Sequence, residues 1–155
     1  MPDRLGPYRL DRRLAVGGTA EIWLARGNEA GSPLAVKRML PELRVHPEAL
    51  DLFTAEARLA ARCAHPHVSA IVGSGQDGDE RWISMEHLDG GDLTAFAGPA
   101  PLAAATGAAL RALLDLLAAL EHVHACGVVH ADVNPRNVLL RGRGEAVLID
   151  FGVAC

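Results

Sequence analysis

The sequence predicts an α+β chain: a five-stranded antiparallel sheet with one packed helix over residues 1–88, then a hinge and an incomplete helical unit over residues 89–155. Three observations predict it. Short β-prone runs alternate with glycine- and aspartate-bearing turns as far as Glu86. One segment, Pro47 to Cys63, carries apolar residues at helical spacing. Beyond Asp89-Gly90-Gly91-Asp92 the chain turns rich in alanine and leucine.

Tyr8 to Val16 and Thr19 to Arg26 flank Gly17-Gly18 as two strands, the second drawing β-propensity from Ile22, Trp23 and Leu24. Gly31-Ser32-Pro33 turns the chain into a third, Leu34 to Met39. In the helix that follows, Pro47 suits the first turn and Glu48 its positive end. Leu52, Phe53, Glu56, Leu59 and Ala60 share a face. Glu56 is the odd member there, because a carboxylate facing a core needs a partner. Val68 to Val72 and Arg81 to Met85 read as two more strands across the turn at Gln76 to Asp79. A helix is expected from Leu102 to Ala125, stopped by Gly127. Val138 to Leu140 and Ala146 to Ile149 form a hairpin.

Composition narrows the function classes. Half of the 155 residues are hydrophobic and 22% are charged, ordinary values for a globular protein. A formal net charge of −4 argues against a nucleic-acid or acidic-membrane binder. Cys63, Cys126 and Cys155 are few, odd in number and form no CxxC pair, so they predict neither a disulfide framework nor a cysteine zinc site. His65-Pro66-His67 and His122-Val123-His124 do not match the HExxH zinc pattern. Met1 to Gly6 lacks an apolar leader core, and Leu110 to Val123 is too short and too charged to span a bilayer. The protein is expected to be cytoplasmic.

Four groups of residues carry chemistry. Gly17 and Gly18 sit in a turn between strands, where glycine lets backbone N–H groups approach a phosphate; a plain glycine hairpin explains the same residues. Lys37 lies on a strand, where an exposed lysine is the plain reading, and Glu56 lies inside the following helix on a face where a carboxylate needs a partner. Met85-Glu86-His87-Leu88 ends a strand just before the glycine-rich hinge. Finally, His130-Ala131-Asp132-Val133-Asn134-Pro135-Arg136-Asn137 is followed by Ile149-Asp150-Phe151-Gly152. Asp132, Asn137 and Asp150 supply hard oxygen donors suited to magnesium.

The order and spacing of these groups resemble the protein-kinase fold of the bacterial serine/threonine type, from residue 8 to residue 155. The resemblance implies an N-lobe over 1–88 and a hinge with a truncated C-lobe over 89–155, binding ATP and Mg²⁺. It implies that Lys37 holds the α and β phosphates, oriented by Glu56, and that Asp132 addresses the acceptor hydroxyl. Asn137 and Asp150 would hold magnesium. Ala15, Val16, Gly17, Gly18, Ile22, Ala35, Met85, Glu86, Leu88 and Leu139 would contact the nucleotide, with Met85 as gatekeeper. His130 and Phe151 would pack as supports.

The chain departs from the family at several positions. Ala15 and Ala20 stand where the outer two glycines of the loop belong. Asn134 replaces the catalytic-loop lysine, a change expected to cost on the order of 10²–10³ in rate by analogy with one lost preorganised donor. Ala131 replaces the arginine that pairs with a phosphorylated activation loop. The sequence stops at Cys155, before an activation segment, so the leucines of the second helix are expected to leave an apolar face uncovered and open to self-association. Three readings stay open: the ATP-binding portion of a serine/threonine kinase with weak or no activity in this form, a noncatalytic kinase-like interaction module, and a small-molecule phosphotransferase of the aminoglycoside or choline type. The protein substrate is unknown.

Overall fold

The computed structural model of the chain describes residues 4–27, 31–94, 102–142, 144–152 and 154–155. They divide into two compact units: Met1–Ala57 with Ile71–His87, and Arg58–Ala70 with Leu88–Cys155.

The first unit is a six-stranded antiparallel sheet in the order β1-β2-β3-β4-β6-β5. Its strands are β1 (Arg4–Leu5), β2 (Tyr8–Val16), β3 (Ala20–Arg26), β4 (Leu34–Met39), β5 (Ile71–Asp77) and β6 (Glu80–Glu86). The expected five strands become six because Arg4 and Leu5 pair with Arg9 and Tyr8 around Gly6, whose φ is +55°. Two residues are too few to show an alternation in sequence. The strand expected over Val68 to Val72 begins instead at Ile71 and runs through polar residues to Asp77. Its tight hairpin with β6 sets that register: Asp77 pairs with Glu80, and Gly78 turns the chain at φ +57°.

Side-chain alternation divides the sheet cleanly. Ile22 pairs with Lys37 and Lys37 with Ile83, so these three share one face. On that face Ala20, Met39 and Ile83 form a core with Phe53 and Ala57 of helix α1 (Pro47–Arg62). The other face packs Leu5, Tyr8, Leu10, Ala25, Val36 and Trp82. There the Tyr8 hydroxyl is hydrogen-bonded to Ser84 at 2.8 Å and its ring meets Trp82 edge-on. Both polar atoms are thus satisfied where no water reaches them.

In the second unit, helix α2 (Leu102–Ala125) lies against the hairpin of β7 (Val138–Arg141) and β8 (Glu145–Leu148). Ala112, Ala119 and Val123 are buried, while Asp115 accepts a hydrogen bond from the Ala146 amide at 3.0 Å. Gly127 stops the helix at φ +72°. Residues 58–70 group with this unit because His67 and Ser69 bond the backbone of Leu148 on both sides, at 2.9 Å each. Leu110, Leu113, Leu114 and Leu117 are each half or more exposed on α2, so an apolar stripe of that helix faces solvent.

Gly90 is required by close approach. Its N–H donates to the Leu140 carbonyl at 3.0 Å, and a Cβ built on it would fall 2.3 Å from that oxygen. Gly90→Ala is expected to lower stability by at least about 1–3 kcal/mol, since the obstacle is backbone that cannot rotate away. Equilibrium urea unfolding checks this, and an unchanged midpoint would refute it.

His65 makes the second unit sensitive to pH. Its Nδ1 accepts the His67 amide at 3.1 Å, and its ring stacks on His122 with centroids 5.0 Å apart. Burial, then the neighbouring His122 and His67, push its pKa below the ordinary 6.5. A depressed histidine means that the unfolded chain takes up the proton first, so stability falls as pH drops through 6.5 and the loss levels off below the folded value. His65→Asn, which keeps an acceptor for His67, should flatten that fall in melting temperature between neutral and mildly acid buffer. Parallel falls in the two proteins would contradict the assignment.

Candidate active site

The first unit contributes an ion pair. Lys37 is central in β4, with hydrogen-bonded strands on both sides, and Glu56 lies on the sheet-facing side of α1. Their side chains are 7% and 8% exposed, and Lys37 Nζ stands 2.5 Å from Glu56 Oε1. Pairing is what makes two buried charges tolerable. Composition sharpens the point: of the 15 lysines and arginines in the chain, Lys37 is the only lysine. A compact, mobile ammonium is chemically distinct from a planar guanidinium, and a sequence that uses arginine at every other basic position retains an amine here.

Ala15 pairs with Ile22, which pairs with Lys37, and Ala35 and Met85 are cross-strand partners, so these predicted nucleotide-contacting residues belong to the Lys37 face of the sheet. Glu86 ends β6 opposite Leu34. Val16, the last residue of β2, and the two glycines that turn the chain into β3 are exposed. The Gly17 N–H donates to the Ala20 carbonyl at 2.8 Å, closing the turn on itself. A Cβ at Gly18 would meet nothing within 4 Å, and one at Gly17 would come no nearer than 3.5 Å to Ala20 O. Packing within the unit therefore does not demand glycine at either position.

The second unit gathers the other candidates in one loop. Asp132 is exposed, and its carboxylate is held by two amides: Asn134 donates to Oδ1 at 3.0 Å and Asn137 to Oδ2 at 2.8 Å. Asn134 also accepts the Arg136 amide at 3.0 Å, capping the short 3-10 turn Pro135–Asn137. With its Nδ2 committed to Asp132, the amide oxygen of Asn137 is turned away from that carboxylate. An amide oxygen and the carboxylate of Asp150 are hard donors of the kind Mg²⁺ takes together with phosphate oxygens. The residues present therefore fit that ion.

Asp150 is tied to the loop by backbone bonds. The Ile149 N–H donates to the Asn137 carbonyl at 2.9 Å. His130, 1% exposed, lies within 3.0 Å of the Ile149 carbonyl through Nε2, while its Nδ1 accepts the Asp132 amide at 3.3 Å. A carbonyl can only accept, so Nε2 carries the proton. Phe151 packs edge-on against the His130 ring. Ala131 and Asp150 both adopt left-handed backbone, φ 64° and 66°, which disfavours any residue with a Cβ. Such strain persists only where the surroundings enforce it. Leu88 is buried and Leu139, in β7, is half-buried in the same unit.

Sequence reasoning missed three features of this loop. It took Asn134 as a donor without a charge and gave it no partner, whereas the amide donates to the Asp132 carboxylate. It saw His130 as a packed support, as its burial against Phe151 bears out, but not that both ring nitrogens bond backbone. Neither left-handed residue carries a local signal, since alanine and aspartate adopt other conformations freely.

The chain belongs to the protein kinase domain family, which matches residues 8–155. It is 35% identical to serine/threonine-protein kinase PknA of Mycobacterium tuberculosis, over 96% of this chain and 36% of that protein. It is 37% identical to serine/threonine-protein kinase Pkn1 of Myxococcus xanthus, over 97% of this chain and 22% of that protein. It is also 37% identical to tyrosine-protein kinase MasK of Myxococcus xanthus, over 96% of this chain and 25% of that one. The crystal structure of the PknI kinase domain of Mycobacterium tuberculosis superposes with a TM-score of 0.75 at 30% identity, covering 99% of this chain and 62% of that domain. The chain thus spans about a third or less of the full proteins it matches. The α+β, kinase-like architecture is shared with the solved domain, with one more strand than expected. Among the described residues no helix is long and apolar enough to cross a membrane.

Proposed function

We propose that this chain supplies the Mg·ATP-handling part of a protein kinase and transfers the γ-phosphoryl group of ATP to a protein hydroxyl. The observation that carries the proposal is the buried Lys37–Glu56 pair, made by the single lysine of the chain. A structural ion pair alone gives no reason for a lysine in an otherwise arginine-only chain. In this reading Lys37 meets the α and β phosphates and Glu56 orients it. Asn137 and Asp150 hold Mg²⁺, and Asp132 orients the acceptor hydroxyl and receives its proton. The ion neutralises developing charge on the phosphates. Ala15, Val16, Ile22, Ala35, Met85, Leu88 and Leu139 offer apolar surface to the base, Glu86 its backbone carbonyl, and the turn at Gly17 and Gly18 its backbone to the phosphates. The N-lobe of the family corresponds to the sheet unit, and the C-lobe begins with the helical one. We read the work as cytoplasmic, where ATP is supplied.

One observation favours a second reading, a kinase-like module that binds nucleotide without transferring phosphate. Asn134 puts a neutral amide on the Asp132 carboxylate where the family resemblance implies a charged lysine. The test of both is a nucleotide titration of the folded protein with and without Mg²⁺, followed by transfer to a peptide library containing Ser, Thr and Tyr acceptors. The proposal expects Mg²⁺-dependent binding and transfer to at least one acceptor. Binding without transfer would support the second reading, and no binding would end both.

The leucine face of α2 bears on partners. We read it as a surface for a second copy of the chain, supported by four leucines that are each half or more exposed. Light scattering across a concentration series should show association that Leu113→Glu with Leu117→Glu abolishes. A monomer at all concentrations would remove the surface from the account.

A further inference from the structure

The three cysteines are unremarkable in sequence, but folding joins two of them. Cys63 is the first residue beyond α1 and Cys126 the first beyond α2. Cys126 Sγ lies 3.6 Å from the carbonyl oxygen of Arg62, the residue before Cys63. The Arg62 guanidinium in turn donates to the Cys126 carbonyl at 3.2 Å, so the two helix ends are fastened in both directions. We propose that Cys63 and Cys126 form a reversible thiol–disulfide pair, a modification site that closes when a hydroperoxide oxidises the accessible sulfur of Cys126.

Burial assigns the order of events. Cys63 is fully buried, whereas Cys126 is partly exposed and stands 3.7 Å from His122 Nε2, a group able to take its proton. Cys63, with no exposed surface, is closed to peroxide, and the same burial, then the neighbouring Cys126, push its thiol up to about 11. Cys126 is therefore the sulfur oxidised. Its thiolate attacks one peroxide oxygen, the O–O bond breaks, and a sulfenic acid forms as the other oxygen leaves as water or alcohol. The Cys63 sulfur then displaces the sulfenic oxygen, which leaves as water with the thiol proton. Two thiols have lost two electrons and the peroxide has gained them. Cys126 Sγ already stands beside the peptide that joins Arg62 to Cys63, so the bond asks for side-chain rotation and a small approach of the two helix ends.

A metal fits these residues less well. His65 and His122 face each other ring to ring at 25° rather than pointing nitrogens at a shared point. Among the described residues no group of three or more His, Cys, Asp or Glu side chains is placed to hold an ion. The disulfide would clamp the end of α1, the helix that presents Glu56 two turns earlier. The proposal does not depend on the reading of the site as a kinase centre.

The test treats the wild-type chain with hydrogen peroxide, blocks free thiols, and maps peptides by mass spectrometry with and without reductant. The expected result is an intact mass lower by about 2 Da, a peptide joining Cys63 to Cys126, and full reversal by dithiothreitol. Cys155→Ser should behave identically. Cys63→Ala should lose the joined peptide and carry added oxygen on Cys126 instead. If that variant does not fold, the wild-type map still decides. Cys63 left free while Cys126 is oxidised to a sulfinic acid, or a bond from Cys126 to Cys155, would overturn the proposal.

Discussion

Lys37→Met is expected to abolish Mg²⁺-dependent ATP binding and to destabilise the chain by about 3–5 kcal/mol, the penalty for leaving a buried carboxylate without its principal cation. Glu56 is 7% exposed and cannot turn to water without unpacking α1 from Phe53, Ala57 and the sheet. The two losses have different origins, and a second substitution separates them. In Lys37→Met with Glu56→Leu both charges are gone and the volumes remain, so stability should recover most of the deficit, as replaced buried pairs commonly do. ATP binding should not recover, because no amine has returned. Urea unfolding and a nucleotide titration on the three proteins give the comparison. If the double variant bound Mg·ATP like the wild type, Lys37 would be a structural residue only.

Asp132→Asn is expected to lower phosphoryl transfer by about 10²–10⁴-fold while leaving nucleotide affinity within a few-fold. Both carboxylate oxygens of Asp132 accept amide hydrogens, one from Asn134 and one from Asn137. An asparagine offers only one acceptor, so its NH₂ must face one of those two donors. The substitution thus removes the proton acceptor and also loosens the Asn137 side chain. A steady-state assay against Mg²⁺ concentration distinguishes the two effects. Loss of proton acceptance lowers kcat at all Mg²⁺ concentrations, whereas a displaced Asn137 raises the Mg²⁺ needed for half-maximal rate. An unchanged kcat would remove Asp132 from its role.

Much of this was legible in the sequence, for reasons that differ from residue to residue. β2, β4 and α2 lie within the bounds expected, because their apolar periodicity and flanking turns agree locally. Glu56 announced itself as a charge on an apolar face, and the structure supplies Lys37 as its partner. The two β1 residues gave no periodicity. Val68 was read as a strand residue because it is apolar, but it is buried by a bridge to Leu148, eighty residues on in sequence, while β5 takes its register from the hairpin at Gly78. The meeting of Cys126 with Arg62, beside Cys63, is likewise non-local. The clamp of Asn134 on Asp132 was hidden for another reason: the sequence shows that an amide can donate but not which oxygen it meets.

The central claim is that Lys37 and Asp150 serve one Mg·ATP. An acyl-phosphate derivative of ATP, which transfers its acyl group to an amine beside the phosphates, tests it directly. Lys37 is the only lysine, so a labelled side-chain amine has one address. The account predicts Lys37 acylation that Mg·ATP competes away and that Asp150→Asn strongly reduces. Acylation that neither ATP nor Asp150→Asn affects would contradict it.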